Sequence, residues 1–332
     1  MTTVEATRLR LNSVDDYLGP AETRFFGNGY RRAEYDVGDI AVDGAGVRST
    51  VGVRYPVDWS RKAAGDLRPH LSTVDMLVLG VQLCEVHLAA AGLDADARRR
   101  AWLRKITLRA GTRPQEELDG LHGAATLRER HTARDEAVSV YDCAIGTMRA
   151  RCEIVHPRVD EGAAGTFRSI EEAVGEAGGR FYGDGFRRRS HRISDVVVDL
   201  DGRRSSARLR IAQDGRVSDG IDGAYQPSVS LIDCFVGNLQ LAQVMMYEMD
   251  AVKRSDSNTL WMLKTVLESS GPRRPWSGEI ATEAAITRKQ LLPLRGGVWR
   301  SVDIEAKCGG VELRSSFAHE LPDYAYDVTG DR

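Results

Sequence analysis

The sequence predicts an α+β protein built from two copies of one lobe. Each lobe is an antiparallel sheet wrapped around a long central helix, and the two are related by a pseudo-twofold. Three observations predict this. Residues 13–32, SVDDYLGPAETRFFGNGYRR, return without a gap as residues 169–188, SIEEAVGEAGGRFYGDGFRR. Each copy then carries one stretch of about 20 residues, a helix of about 30 Å, that is apolar on every side. The segments after that stretch alternate apolar and polar with a period of two.

The echo runs on through the chain, which separates a duplication from a chance match. Residues 69–86, PHLSTVDMLVLGVQLCEV, align with residues 227–244, PSVSLIDCFVGNLQLAQV. WLRKITL at 102–108 aligns with WMLKTVL at 261–267, and MRARCEIVHP at 148–157 with VELRSSFAHE at 311–320. A period of about 160 residues is too long for a solenoid and has the length of a small domain. The expected division is therefore residues 1–160 and residues 161–332, joined through the linker-like PRVDEGAAG of residues 157–165.

Each element follows in order. An amphipathic opening, residues 14–26 in the first copy, leads to a Gly-Asn-Gly or Gly-Asp-Gly turn whose glycines can take positive φ at little cost. Extended segments follow, VGVRYPV at 51–57 and DVVVDL at 195–200. Next come the apolar helices, expected over Ser72–Ala91 and Ser230–Met249 and enclosed by other structure because no polar face is left for solvent. After the first helix, residues 102–110, 125–132, 137–145 and 148–155 read as strands, the last two joined across Gly146-Thr147. Several strands curled around one buried helix describe a hot-dog fold. Two in one chain, packed edge to edge as a pseudo-dimer, make a tandem or double hot-dog.

Bulk properties exclude several function classes. With 332 residues, 42% hydrophobic and 28% charged, the chain is expected to bury a large core. A net charge of −2 gives no general attraction to nucleic acid, so no nucleic-acid partner is expected. Five cysteines with neither CxxC nor zinc-finger spacing indicate no disulfide framework, no structural metal and a reducing compartment, hence a cytoplasmic protein. No signal-like apolar region opens the chain, and no stretch approaches the ~20 apolar residues of a membrane span, so no membrane is expected. GxGxxG, Walker, GxSxG and HExxH motifs are absent, which disfavours nucleotide-driven and serine-hydrolase chemistry. No cofactor is expected.

Candidate chemistry gathers at the helix starts. Ser72-x-x-Asp75 and Ser230-x-x-Asp233 match a capping box. The same carboxylates, beside unpaired N–H groups, are placed for acid–base work on a carbonyl, so Asp75 and Asp233 are candidate catalytic groups. Gln82 and Gln240 lie two turns further on, as core amides or ligand contacts. Glu85 has no acidic counterpart, because the second copy has Gln243 there; a carboxylate in apolar surroundings is a candidate base. His70, two residues ahead of the first cap, is the best-placed histidine for a proton shuttle. Trp59, Arg61, Lys62 and Arg68 form a dense set of donors leading into the first helix, and Gln226 precedes the second. These are candidate substrate contacts.

YPVDWSRK, DLRPHLSTVDMLVLGVQL, WLRKITLRAG, FYGDGF, YQPSVSLIDCF and SNTLWML together resemble the AvrD (avirulence D) family, over essentially the whole chain. The resemblance implies synthesis of syringolide-type elicitors, which are acyl-sugar lactones. The layout is more distantly similar to the AfsA group of A-factor synthases, duplicated hot-dog enzymes that join a β-ketoacyl thioester to the hydroxyl of a small hydroxyketone. Asp75, Gly80 and Glu85 match the order of that group's helix signature, but no His follows Asp75. The implied function is an acyltransferase joining a β-ketoacyl thioester, carried on acyl carrier protein or CoA, to a ketose such as xylulose or its phosphate, giving a butenolide precursor. A dehydratase or thioesterase, and a non-catalytic acyl-ligand binding protein, are the alternatives. The expected state is a pseudo-dimeric monomer or a homodimer.

Overall fold

The computed structural model describes residues 8–322 and 324, except 63–64, 67, 160–161, 258–259, 275 and 295–296. The first repeat begins with strand β1 (Arg8–Ser13) and the one-turn helix α1 (Asp15–Leu18), then the hairpin β2 (Glu34–Asp43) and β3 (Gly46–Arg54). A small ribbon, β4 (Arg61–Lys62) and β5 (Gly65–Asp66), precedes the long helix α2 (Thr73–Ala90) and the short α3 (Ala95–Arg100). Strands β6 (Trp102–Arg109), β7 (Leu121–Ala133), β8 (Glu136–Ile145) and β9 (Met148–Pro157) complete it. The second repeat runs β10 (Gly165–Phe167), α4 (Ile170–Val174), β11 (Arg189–Asp199), β12 (Arg204–Gln213) and the long helix α5 (Leu231–Met249). It closes with β13 (Trp261–Ser269), β14 (Glu279–Leu294), β15 (Gly297–Cys308) and β16 (Val311–Glu320).

The two expected sheets are continuous with one another. Fourteen strands form one antiparallel sheet in the order β1-β11-β12-β14-β15-β16-β13-β6-β9-β8-β7-β3-β2-β10. The seam is the pair β6 and β13, where Thr107 faces Val266. These two residues are each other's repeat counterparts, so the pseudo-twofold passes through this pair. On either side of it Lys105 faces Glu268 and Arg109 faces Lys264, as such an axis requires. Each half of the sheet curls around its own helix, whose residues are buried almost throughout. The architecture is a tandem hot-dog.

Three features refine the sequence expectation. The amphipathic opening is not one helix: α1 spans four residues, and Ala21–Thr23 forms a separate 3-10 turn after Gly19-Pro20. Gly27 and Gly29, with their counterparts Gly183 and Gly185, do not take positive φ. They are required by close approach, since a Cβ on Gly27 would sit 2.3 Å from Ala21 O and one on Gly29 2.1 Å from Trp59 O. By length and composition α2 is apolar enough to cross a membrane, contrary to the sequence estimate, but 83% of it is buried as the core of its lobe.

The lobes also exchange their leading strands. β1 pairs with β11 of the second repeat, while β10 pairs with β2 of the first. Helix α4 follows its strand across and packs on α2, and α1 packs on α5. Each long helix is therefore covered at one end by the other repeat.

Candidate active site

Each long helix begins with the same cap. The Asp75 N–H donates to Ser72 Oγ at 3.1 Å and the Ser72 N–H donates to Asp75 Oδ2 at 2.7 Å; Ser230 and Asp233 repeat both distances. A capping box of this kind uses two of the first-turn donors and leaves those of Thr73 and Val74 at the mouth of α2.

The remaining partners of the two aspartates differ, and their ionisation differs with them. Asp75 is wholly buried and accepts from the Tyr35 hydroxyl at 2.8 Å and from the Tyr55 hydroxyl. Burial pushes its carboxyl above the usual range, and the hydrogen bonds from Tyr55, Ser72 and Tyr35 offset this only in part. Asp233 meets the Arg189 guanidinium and His191 Nε2, the latter at 2.7 Å. Burial also works to raise this group, but the Arg189 charge and the His191 contact outweigh it and hold the carboxyl well below the usual range. Tyr35 and His191 are repeat counterparts, as are Ala33 and Arg189, so the exchanges at these two positions separate a carboxyl disposed to hold a proton from one locked as an anion.

A cleft of about 360 Å³ opens at the first mouth. Leu71, Ser72 and Thr73 at the start of α2 form one side. Phe235, Leu239, Gln243 and Tyr247 along α5 form the other, and Phe25, Phe26 and Trp59 close the end between them. Arg24, Arg68, Arg113 and Arg254 also line it, with Gln115 and Glu116. His70 lines the same cleft; its ring stands edge-on to Trp59 with centroids 5.7 Å apart. His70 Nδ1 lies 3.4 Å from Arg68 O, so a proton on Nδ1 donates there and leaves Nε2 as an acceptor.

At the second mouth the protein's own side chains take up the space. Tyr182 donates to Asp222 Oδ2 at 2.8 Å, and Arg274 Nε donates to Val229 O at 2.6 Å. Arg189 stacks on Phe181 and Trp276, 4.5 and 4.8 Å from the ring centroids. Asp222, Ser228, Val229 and Ser230 are all about 1% exposed.

The candidate residues thus separate. His70, Trp59 and Arg68 are brought together in the cleft. Asp75 is not among the cleft-lining residues; Tyr55, which binds it, packs on Trp59 and Phe25 with centroids 5.3 and 6.2 Å away. Asp233 lies at the filled second mouth. Glu85 is buried mid-helix against Arg180 and Arg98, at 3.6 and 3.7 Å, and is not among the residues that line the cleft with His70. Gln240 is a satisfied core amide: it accepts from Arg24 at 2.7 Å and donates to Phe26 O and Val236 O at 3.2 and 3.0 Å. Gln226 accepts from Arg189 and from the Ser228 N–H, and Gln82 lines a different groove. The side chains of Arg61 and Lys62 lie outside the described residues.

Sequence reasoning missed the α5 wall and Tyr35. Phe235 and Leu239 read as core because nothing in their own repeat indicates that the first helix's mouth faces them. The unlike pair Glu85 and Gln243 was the available signal, and it is Gln243 that reaches the cleft. As for metals, the sulfurs of Cys84, Cys143 and Cys152 lie within 4.8 Å of one another. They sit in the apolar core, at most 2% exposed, and pack on one another with Cys84–Cys143 and Cys143–Cys152 sulfur distances of 3.6 and 3.9 Å. They read as packing thiols.

Replacing Asp75 by asparagine sets an NH2 group against one of three inward donors. The expected cost is about 1–3 kcal/mol, read as a lower denaturation midpoint with the far-UV spectrum unchanged.

The fold and cleft define a double hot-dog protein with an apolar, arginine-rimmed cleft at one helix mouth. The chain belongs to the AvrD family, since the family model for the Pseudomonas avirulence D protein matches residues 9–322. No curated protein matches it in sequence. Similar solved structures include a tesB protein from Mycobacterium avium subspecies paratuberculosis, at 9% identity and a TM-score of 0.40, covering 83% of this chain and 93% of that one. A hot dog fold protein of unknown function from Alicyclobacillus acidocaldarius is 9% identical with a TM-score of 0.36, covering 85% and 95%. An acyl-ACP thioesterase from Bacteroides thetaiotaomicron is 6% identical with a TM-score of 0.37, covering 87% and 99%.

Proposed function

We propose that the chain is an enzyme acting on acyl thioesters at the α2 mouth, and that it transfers a β-ketoacyl group to a hydroxyl of a small ketose. One observation carries this reading. Uncommitted helix-mouth donors at Thr73 stand beside His70 in a cleft whose far wall is apolar and whose other lining residues include four arginines. The apolar wall of Phe235, Leu239 and Phe317 suits the acyl chain, and the polar side suits a hydroxylated acceptor.

In the proposed step His70 Nε2 takes the proton from the attacking hydroxyl. The new C–O bond forms at the thioester carbonyl, whose developing charge faces the Thr73 N–H at the helix mouth. The C–S bond then breaks and the thiol leaves with the proton returned from His70. Asp75, behind the wall, holds the cap and Tyr55 in place as a positioning residue. Ring closure to a butenolide needs only removal of a proton from the acidic carbon between the two carbonyls. Acyl carrier protein or CoA would supply the thioester, and xylulose or its phosphate is the acceptor that the family resemblance implies.

The test is incubation with a β-ketoacyl thioester with and without xylulose, following thiol release and acyl-sugar mass. Thiol release that depends on xylulose and yields the ester is the expected outcome. Equal release without it would make water the acceptor and the protein a thioesterase. An α,β-unsaturated product would indicate a dehydratase, and binding without turnover a ligand-binding protein.

A further inference from the structure

A second groove, of about 500 Å³, lies where β2 and the turn before it meet the opening of the second repeat. Gln82 of α2 lines it. This carboxamide is only 6% exposed and, among the described residues, has no hydrogen-bond partner. Its amide is open to the groove, so whatever fills the groove, water or a ligand, supplies the hydrogen bonds that the protein does not.

Its repeat counterpart shows what is missing. Gln240 is held by Arg24, whose counterpart in the second repeat is Arg180. Arg180 is instead drawn towards carboxylates, with Glu85 at 3.6 Å and Glu171 at 3.8 Å. Glu85 replaces the Gln243 of the other repeat, so a single acidic residue takes the arginine away and leaves Gln82 aimed into an open groove.

We propose that this groove is a second ligand site, for a small neutral polyhydroxylated molecule gripped by the Gln82 carboxamide. The charges decide the class. Arg31, Arg32 and Arg187 line the groove with Glu34, Asp36, Glu171 and Asp184, so neither an anion nor a cation meets a field of one sign. Alternating donors and acceptors suit hydroxyl groups, which are both. Tyr35 lines the groove as well, so an occupant touches the side chain that donates to Asp75 behind the cleft. The site does not depend on acyl transfer.

The test uses the full chain, 15N-labelled, without any thioester. The side-chain amide signals of Gln82 are assigned by their loss in Gln82→Leu and in Gln82→Met, so that one variant suffices if the other folds poorly. Titration with xylitol and with xylulose should move the Gln82 pair saturably and leave the Gln240 pair in place. Either variant should bind about tenfold more weakly, the loss of roughly one hydrogen bond. A Gln82 signal unmoved by either polyol overturns the proposal, as does unchanged affinity in a folded variant. An equal response to inorganic phosphate would make the site anionic and overturn the ligand class. None of these readings involves turnover, so failure of the acyl-transfer reading leaves the result intact.

Discussion

Replacing His70 by alanine is expected to lower turnover of a β-ketoacyl thioester by about 10²–10⁴-fold with little change in stability. The imidazole is half-buried on the cleft, and its one recorded hydrogen bond, at 3.4 Å to Arg68 O, is long, so the fold loses little when it goes. The loss should fall on kcat more than on KM, because the ring is assigned to moving a proton and the aromatic and arginine surface remains to bind. His70→Gln should not restore the rate, since an amide of similar reach cannot take a proton. Steady-state kinetics on the two variants, with thermal melting as a control, checks this. An unchanged kcat in both would remove the imidazole from the mechanism.

The second large effect is on stability. Asp233→Asn should cost about 3–5 kcal/mol, because it leaves the guanidinium of Arg189 buried without its carboxylate. The folded-state value of Asp233 is depressed, so its contribution is fully present above the ordinary carboxyl value of 3.8 and is lost as pH falls below it. The gap in unfolding free energy between wild type and the variant should therefore be wide at neutral pH and narrow below about pH 4. Asp75 carries the opposite sign. Its value is raised, so its contribution favours the fold as pH drops towards the ordinary range and fades as pH rises through the folded value. Denaturant titrations of wild type, Asp233→Asn and Asp75→Asn across pH separate the two, and a gap for Asp233→Asn that widens in acid would contradict the assignment.

Much of the fold was legible because the duplication is written in the side chains themselves. The repeated Ser-x-x-Asp caps and the all-round apolar helices follow from local rules, and both appear where those rules place them. The exchange of β1 and β10 was not legible. Strands of six and three residues carry too little pattern to say which repeat's edge they join. The glycine turns were ambiguous for a related reason: a glycine needed for close approach to Ala21 O or Trp59 O looks, in sequence, like one needed for positive φ.

The site was half legible. His70, Trp59 and Arg68 stand next to their cap in sequence, and the structure keeps them together. Phe235, Leu239 and Tyr247 come from the other repeat, and their role depends on how the lobes meet along β6 and β13, which no local pattern encodes. Glu85 drew attention as an unmatched buried acid, and its physical role is to hold Arg180 and Arg98.

The most direct test is a structure of the full chain with a β-ketoacyl thioester analogue in which a methylene replaces the thioester sulfur, leaving an unreactive ketone. One analogue per chain is predicted, its chain along Phe235 and Leu239 and its carbonyl oxygen accepting from the Thr73 N–H. An acyl chain seated at the Ser230 mouth instead, or a carbonyl turned away from the start of α2, would contradict the account.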